Sequence, residues 1–206
     1  MMAYAAYTTT RRNLAALERA RWRIMLSPAT GLNSYGLPYA LDNGAWSAFA
    51  TGAPWDEEAF VRALTTHGAG ADFVAVPDIV EGGAESLARS CAWLPRVLDR
   101  APLALIPVQD GMTETDIAPL LAERVGIFVG GSTGWKERSM SMWGALARTH
   151  GTRCHVGRVN TIRRIRLCAA AGATSFDGSS VSRYAINLPK LERARWQPDL
   201  FAGVRP

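Results

Sequence analysis

The feature that most constrains this chain is a rhythm. Short, continuous apolar runs recur along it, each followed by a longer segment with helical signals. The runs are "WRIMLS" (22–27), "PYALDN" (38–43), "DFVAVPD" (72–78), "PLALIPVQ" (102–109), "GIFVGG" (126–131), "CHVGRV" (154–159) and "TSFDG" (174–178). They do not alternate apolar with polar residues, and unbroken apolar runs are the mark of strands covered on both faces. Between them, "DEEAFVRALTTHG" has an acidic first turn, "AESLARSCAWLPRVLD" is amphipathic, and "TETDIAPLLAERV" opens with a capping signal. "SMWGALARTHG" ends in Gly, and "NTIRRIRLCAAAG" runs from an Asn cap to a Gly stop.

Strand–helix alternation implies a parallel α/β sheet. Seven or eight strands with no internal boundary favour closure into a barrel over an open doubly wound sheet. A TIM (β/α)8 barrel typically takes about 250 residues, so a chain of 206 predicts a compact or trimmed barrel. No linker, low-complexity tract or repeat interrupts it, and one domain over 1–206 follows. An N-terminal helix is expected over 1–21, capped by the Thr cluster, and a basic tail or helix over 185–206.

Several classes are disfavoured. The Arg pair at 11–12 comes too early for a secretory signal. No apolar run approaches the roughly 20 residues of a membrane span, so a cytoplasmic protein without a membrane partner is expected. Cys91, Cys154 and Cys168 are odd in number and far apart, which suits neither a disulfide framework nor a zinc cluster. Cys91 and Cys168, among Ala and Leu, read as buried core thiols. His67, His150 and His155 lack metal-ligand spacing, and His155 reads as structural rather than catalytic. Neither a metal nor a cofactor is expected. "GGSTGWK" lacks the spacing of a triphosphate-binding loop.

Charge is divided unevenly. Residues 1–123 hold 9 Lys/Arg against 14 Asp/Glu, and residues 124–206 hold 14 against 4. A half carrying +10 fits either a polyanionic partner, nucleic acid first, or a solvated basic surface.

In barrels of this kind, reactive groups sit at the C-terminal ends of strands. Followed outward, the runs end in Asp42, in Asp78, in Gln109 and Asp110, in Gly130, Gly131 and Lys136, in His155, Arg158 and Asn160, and in Asp177. Each has a plain reading alone: Asp42-Asn43-Gly44 as a turn, Asp78 as a helix cap, Asp177 before Gly-Ser-Ser as a surface turn. Six polar strand ends in series favour a shared pocket. Two carboxylates about one glycosidic carbon supply a nucleophile and a general acid/base. A further Asp beside a carboxamide and glycine N–H groups suits the edge of guanine or a 7-deazaguanine. Trp46, Phe49, Trp135 and Tyr184 are candidates to stack on a base.

These motifs carry a resemblance. "LDNGAW", "VPD", "PVQDG", "FVGGSTGWK", "HVGRVN" and "SFDGSS", over about residues 38–184, resemble in order and spacing the strand-end motifs of the queuine/archaeosine tRNA-guanine transglycosylase superfamily. The chain looks most similar to the short phage and bacterial branch that exchanges guanine in DNA for a 7-deazaguanine. The resemblance implies a TIM barrel and covalent base exchange. Asp177 matches the nucleophile on C1′ and Asp42 the general acid/base. Asp78 and Gln109 match the base-recognising acid and amide, and Gly130 and Gly131 the backbone that meets the base. "LDNGAW" stands where the family shows an Asp-Ser-Gly-Gly-Phe-like motif.

The Cys-x-Cys-x-x-Cys…His zinc pattern of the tRNA enzymes is missing, and the chain is much shorter. Both departures favour DNA over tRNA as partner, with a 7-deazaguanine such as preQ0 as the incoming base. The target base would have to be flipped out of the duplex. Lys136, Arg138, Arg158, Arg163, Arg164 and Arg183 are the candidates to hold phosphates, with Arg163 also fitting a solvated helix face. A tRNA enzyme, a non-catalytic nucleic-acid or deazapurine binder, and a small-molecule glycosidase or lyase on the same barrel are the alternatives. Oligomeric state leaves no signal in the sequence.

Overall fold

Eight parallel strands pair in strict sequence order, and the last returns to the first. In the computed structural model, which describes residues 1–196, they are β1 (Met2–Ala6), β2 (Arg23–Leu26), β3 (Tyr39–Leu41), β4 (Val74–Ala75), β5 (Ala104–Val108), β6 (Val125–Val129), β7 (Cys154–Val156) and β8 (Ser175–Gly178). Each pairs in parallel with its neighbours, and β8 pairs with β1, so the barrel is closed. The helices are α1 (Arg11–Arg19), α2 (Ala45–Thr51), α3 (Glu57–His67), α4 (Gly83–Leu98), α5 (Glu114–Ile117), α6 (Thr133–Thr149), α7 (Ile162–Ala170), α8 (Ser180–Arg183) and α9 (Leu188–Trp196). The expected TIM-type barrel is the fold, and it is trimmed. Residues 27–38, between β2 and β3, hold turns in place of a helix.

The two-residue period of the strands sorts side chains into two cores. Ile24, Leu26, Leu41, Val74, Ile106, Val108, Ile127, Val129, Val156 and Phe176 face outward into the layer shared with the helices. Tyr4, Met25, Ala40, Phe73, Leu103 and Leu105 form the second cluster, inside the barrel, with Met2 and Phe128 against it. At the N-terminal end of the barrel Tyr4 donates its hydroxyl to Asp72 at 3.0 Å, and Arg23 pairs with the same carboxylate at 2.5 Å. Burial, with the Asp72 charge beside it, pushes the Tyr4 phenol well above its ordinary range.

The N-terminus departs from expectation. Residues 1–21 are a strand and then a helix, since "MAYAA" is β1 and α1 begins only at Arg11, after Thr10. The alanines favour a helix locally, but the slot between β2 and β8 has backbone groups to pair on both sides, and the tertiary context prevails. Cys91 also departs: it is exposed on α4, where it lines a groove of about 320 Å³ with Leu87 and Met112, whereas Cys154 and Cys168 are buried. In the C-terminal segment a 3-10 turn (Ala185–Asn187) and α9 place Lys190, Arg193 and Arg195, and residues 197–206 of that expected tail lie outside the described residues. No helix among the described residues is long and apolar enough to cross a membrane.

Candidate active site

Inward parity on β3 runs Ala40, then Asp42 just past the strand end, and on β8 it runs Ser175, then Asp177. The same register that buries the interior cluster therefore delivers both carboxylates to the C-terminal mouth. Asp42 accepts the Gly44 N–H at 3.0 Å. Gly44 makes that turn with φ of 80°, a left-handed conformation that favours glycine. Burial pushes the Asp42 carboxyl up to about 6 against the pull of the Gly44 N–H, and the charges of Asp177 and Asp78 add to the rise. Asp42 thus stands within electrostatic reach of Asp177.

The Asn43 side chain is buried and makes three bonds. Its Nδ2 donates to the Val76 carbonyl and to Asp78 Oδ1, each at 2.8 Å, and its Oδ1 accepts the Ala45 N–H at 2.8 Å. One residue of the β3–α2 turn thereby ties the ends of two strands together and holds the Asp78 carboxylate. Burial pushes Asp78 up to about 6, opposed by the Asn43 bond and by the Arg89 charge. Both carboxyls are thus tuned to change charge a little below neutral pH, the range in which a group both gives and takes a proton.

Asp177 is held differently. His155 Nε2 lies 3.0 Å from its Oδ1, and the Arg158 N–H lies 3.3 Å from both oxygens. Its own carbonyl accepts the Val159 N–H at 2.6 Å. Arg158 adopts φ of 59°, a left-handed conformation that costs a non-glycine residue on the order of 1 kcal/mol. That twist aims its amide at Asp177 while its side chain turns over the mouth. The guanidinium bonds the Gly131 carbonyl and stacks 3.9 Å above the exposed Trp46 ring, which lies near the equally exposed Phe49.

The remaining candidates take up varied positions. Gln109 is buried, with Nε2 donating to the Ile79 carbonyl at 2.8 Å and Oε1 accepting the Glu81 N–H at 2.7 Å. Its amide braces the loop between β4 and α4, the loop that carries Asp78. The Gly130 N–H continues the ladder to the Val108 carbonyl at 2.9 Å. Gly131 has φ of 67°, and a Cβ there would meet Asp110 and the half-buried Trp135 ring within 3 Å. Asp110 accepts from the Ser132 N–H and hydroxyl at 2.7 Å each, which fixes the cap of α6.

Of the phosphate-holding candidates, Lys136 is buried, and its ammonium donates to the Gly157 carbonyl. Burial lowers its pKa to about 8, helped by the Arg158 charge. It braces the loop after β7 from beneath and presents nothing to the surface. Arg163 and Arg164 both bond Glu137. Arg138 and Arg183 are exposed.

Two contributors carry no chemical role in the sequence pattern. Asn43 read as part of a turn, and its cross-strand bonds depend on a neighbour 35 residues away. His155 read as structural, and it is wholly buried as that role requires, yet it is bonded to Asp177. A legible signal existed for the second: His155 on one strand and Ser175 and Asp177 on the next share inward parity. Among the described residues no group of three or more His, Cys, Asp or Glu is placed to hold a metal ion. No protein-family profile matches the chain, and no curated protein matches it.

Proposed function

We propose that the protein is a nucleic-acid guanine transglycosylase, acting on DNA in preference to tRNA, that exchanges guanine for a 7-deazaguanine such as preQ0 by double displacement. The observation that carries this reading is the pair of unlike carboxylates at one barrel mouth. Asp42 is raised to about 6, and Asp177 beside it is held by N–H donors. Two carboxyl groups in contrasting surroundings are the usual arrangement for acid/base and nucleophile in retaining glycosyl transfer.

In the first step a carboxylate oxygen of Asp177 forms a bond to C1′ of the target nucleotide. The C1′–N9 bond breaks, and protonated Asp42 gives its proton to the departing guanine. In the second step the incoming base loses its N9 proton to the Asp42 carboxylate, and its N9 bonds to C1′. The C1′–Asp177 bond breaks, which restores both groups. Asp78 has one oxygen on Asn43 and offers the other to ring N–H and amino donors of the base. Trp46 and Phe49 supply exposed rings beside Asp42 for stacking, and Arg138, Arg158 and Arg183 supply positive charge around the mouth.

The test is nucleoside mass spectrometry of DNA and of tRNA incubated separately with the protein and candidate deazaguanines, with Asp177→Asn in parallel. Incorporation in DNA with the native protein and none with the variant is the expected result. Incorporation in tRNA alone would move the substrate, and equal incorporation with Asp177→Asn would remove the nucleophile assignment.

A further inference from the structure

A polar line runs through the largely apolar inside of the barrel, from Ser175 through His155 to Asp177. His155 faces inward from β7, directly across the ladder from Ser175. Its ring is packed among Phe128, Phe73 and Tyr4, with centroids at 4.7, 4.9 and 5.7 Å. A side chain in that position needs no polar atoms to fill space, yet both ring nitrogens are used. Nδ1 lies 2.8 Å from Ser175 Oγ, and Nε2 lies 3.0 Å from Asp177 Oδ1. The histidine side chain is 0% exposed and that of Asp177 is 16% exposed, so only the carboxylate end of the line reaches the mouth.

The chemistry of the partners orders the hydrogens. A carboxylate only accepts, so Nε2 carries the hydrogen that faces Asp177. In the neutral imidazole Nδ1 is then the acceptor, and the buried Ser175 hydroxyl is the donor that satisfies it. The two bonds pin the ring at both ends, and the aromatic packing blocks rotation. On Asp177 the result is asymmetric. The Arg158 N–H lies 3.3 Å from both oxygens, and Oδ1 alone also receives the imidazole N–H, at 3.0 Å.

We propose that His155 is a positioning residue for Asp177: with its tautomer set by Ser175, it holds Oδ1 and leaves Oδ2 as the oxygen that attacks. This rests on the transglycosylase reading given above. During attack Oδ2 bonds to C1′ and Oδ1 becomes the ester carbonyl oxygen. When the incoming base displaces the ester, the electron pair of the C1′–Oδ2 bond returns to the carboxylate, and the His155 N–H on Oδ1 stabilises the returning charge. No proton changes hands at His155. The greater benefit falls on the second step, because there the carboxylate is the leaving group.

Two measurements test this on the intact protein. In the first, 15N–1H NMR of the imidazole reads the tautomer at neutral pH. An Nε2–H form is expected, with Nε2 shifting in Asp177→Asn and Nδ1 shifting in Ser175→Ala. An Nδ1–H tautomer, or an Nε2 signal indifferent to Asp177→Asn, would overturn the proposal whatever reaction the protein performs.

In the second, base exchange is followed with His155→Phe and His155→Gln, each checked for native circular dichroism. His155→Phe is expected to lower kcat about 10²-fold, as loss of a donor at a developing oxyanion does. KM should stay within about 3-fold, and a larger share of enzyme should be trapped as the covalent adduct, because breakdown slows more than formation. His155→Gln, which keeps a donor near the Nε2 position, should recover to within about 10-fold of the native rate. Native kcat in folded His155→Phe, or an adduct share that falls along with the rate, would overturn the role. Native protein that exchanges no base would instead overturn the functional reading, and the NMR result would still decide the pairing.

Discussion

Asn43 Nδ2 donates to Asp78 Oδ1 at 2.8 Å, and this bond ties the end of β3 to the end of β4. The same amide also satisfies the buried Val76 carbonyl and the first N–H of α2. Asn43→Ala leaves these groups without partners, which costs about 1–3 kcal/mol. The expected result is a Tm lower by roughly 3–10 °C in thermal unfolding for a chain of this size. Asn43→Asp should be worse at neutral pH, because it sets a second carboxylate against Asp78.

The raised carboxyls make a prediction with a definite sign. A carboxyl whose folded pKa lies above its ordinary value of 3.8 binds its proton more tightly in the folded state. Stability from such a group is fullest below that value and declines as pH rises toward about 6. Asp42→Asn and Asp78→Asn should therefore match the native protein near pH 4 and exceed it above pH 6, each by on the order of 1–3 kcal/mol. Urea unfolding at several pH values checks this. Asp42→Asn should be the more stable protein while losing base exchange. Destabilisation at pH 7 by that variant would contradict the buried, charge-penalised state of Asp42.

Gly178 ends β8 one residue after Asp177. A Cβ there would meet the Val159 carbonyl at 2.3 Å, a backbone atom that has no way to swing aside. Gly178→Ala must spread the ends of β7 and β8, and with them the Arg158 N–H and Asp177. Overpacking of this kind costs about 1–3 kcal/mol. A Tm lower by roughly 3–10 °C and a loss of exchange larger than that of a distant variant of equal stability are expected from paired melting and rate measurements.

The basic residues should not contribute equally to nucleic-acid binding. Glu137 already engages Arg163 and Arg164, whereas Arg138 and Arg183 are exposed. Arg138→Ala and Arg183→Ala should each weaken DNA binding and reduce the slope of log K against log salt by about 1. Arg163→Ala should change it less. Fluorescence anisotropy over a salt series separates these outcomes, and a larger effect from Arg163 would show that the Glu137 pair opens on binding.

The sequence made the outer layer of the barrel legible because β2 to β8 are covered on both faces, and that leaves unbroken apolar runs. It hid β1, whose five residues carry three alanines and no periodic signal longer than a single turn. Asp42 and Asp177 were legible as polar groups just past apolar runs. Roles that depend on register between strands were not. Parity alone puts His155 and Asp177 on the inner face, but that they meet across 22 residues, and that Asn43 meets Asp78 across 35, depends on pairings that no local pattern encodes. Cys91 was misplaced for a related reason, since an amphipathic helix announces two faces but not which residues lie near their boundary.

The seam between β1 and β8 carries a consequence for how the molecule comes into being. Tyr4 stands opposite Asp177 in that pairing, so the strand bearing Asp177 is stitched to the first strand of the barrel. A polypeptide emerging N-terminus first offers β1 no second neighbour until about residue 178 has been made. Until then the growing sheet has two unpaired edges, the state most exposed to wrong pairing. Contacts so distant in sequence form late and slowly. The seam that carries Asp177 into the mouth is therefore the last part of the barrel to be completed, and variants that slow ring closure will lower the yield of working protein without touching either carboxylate.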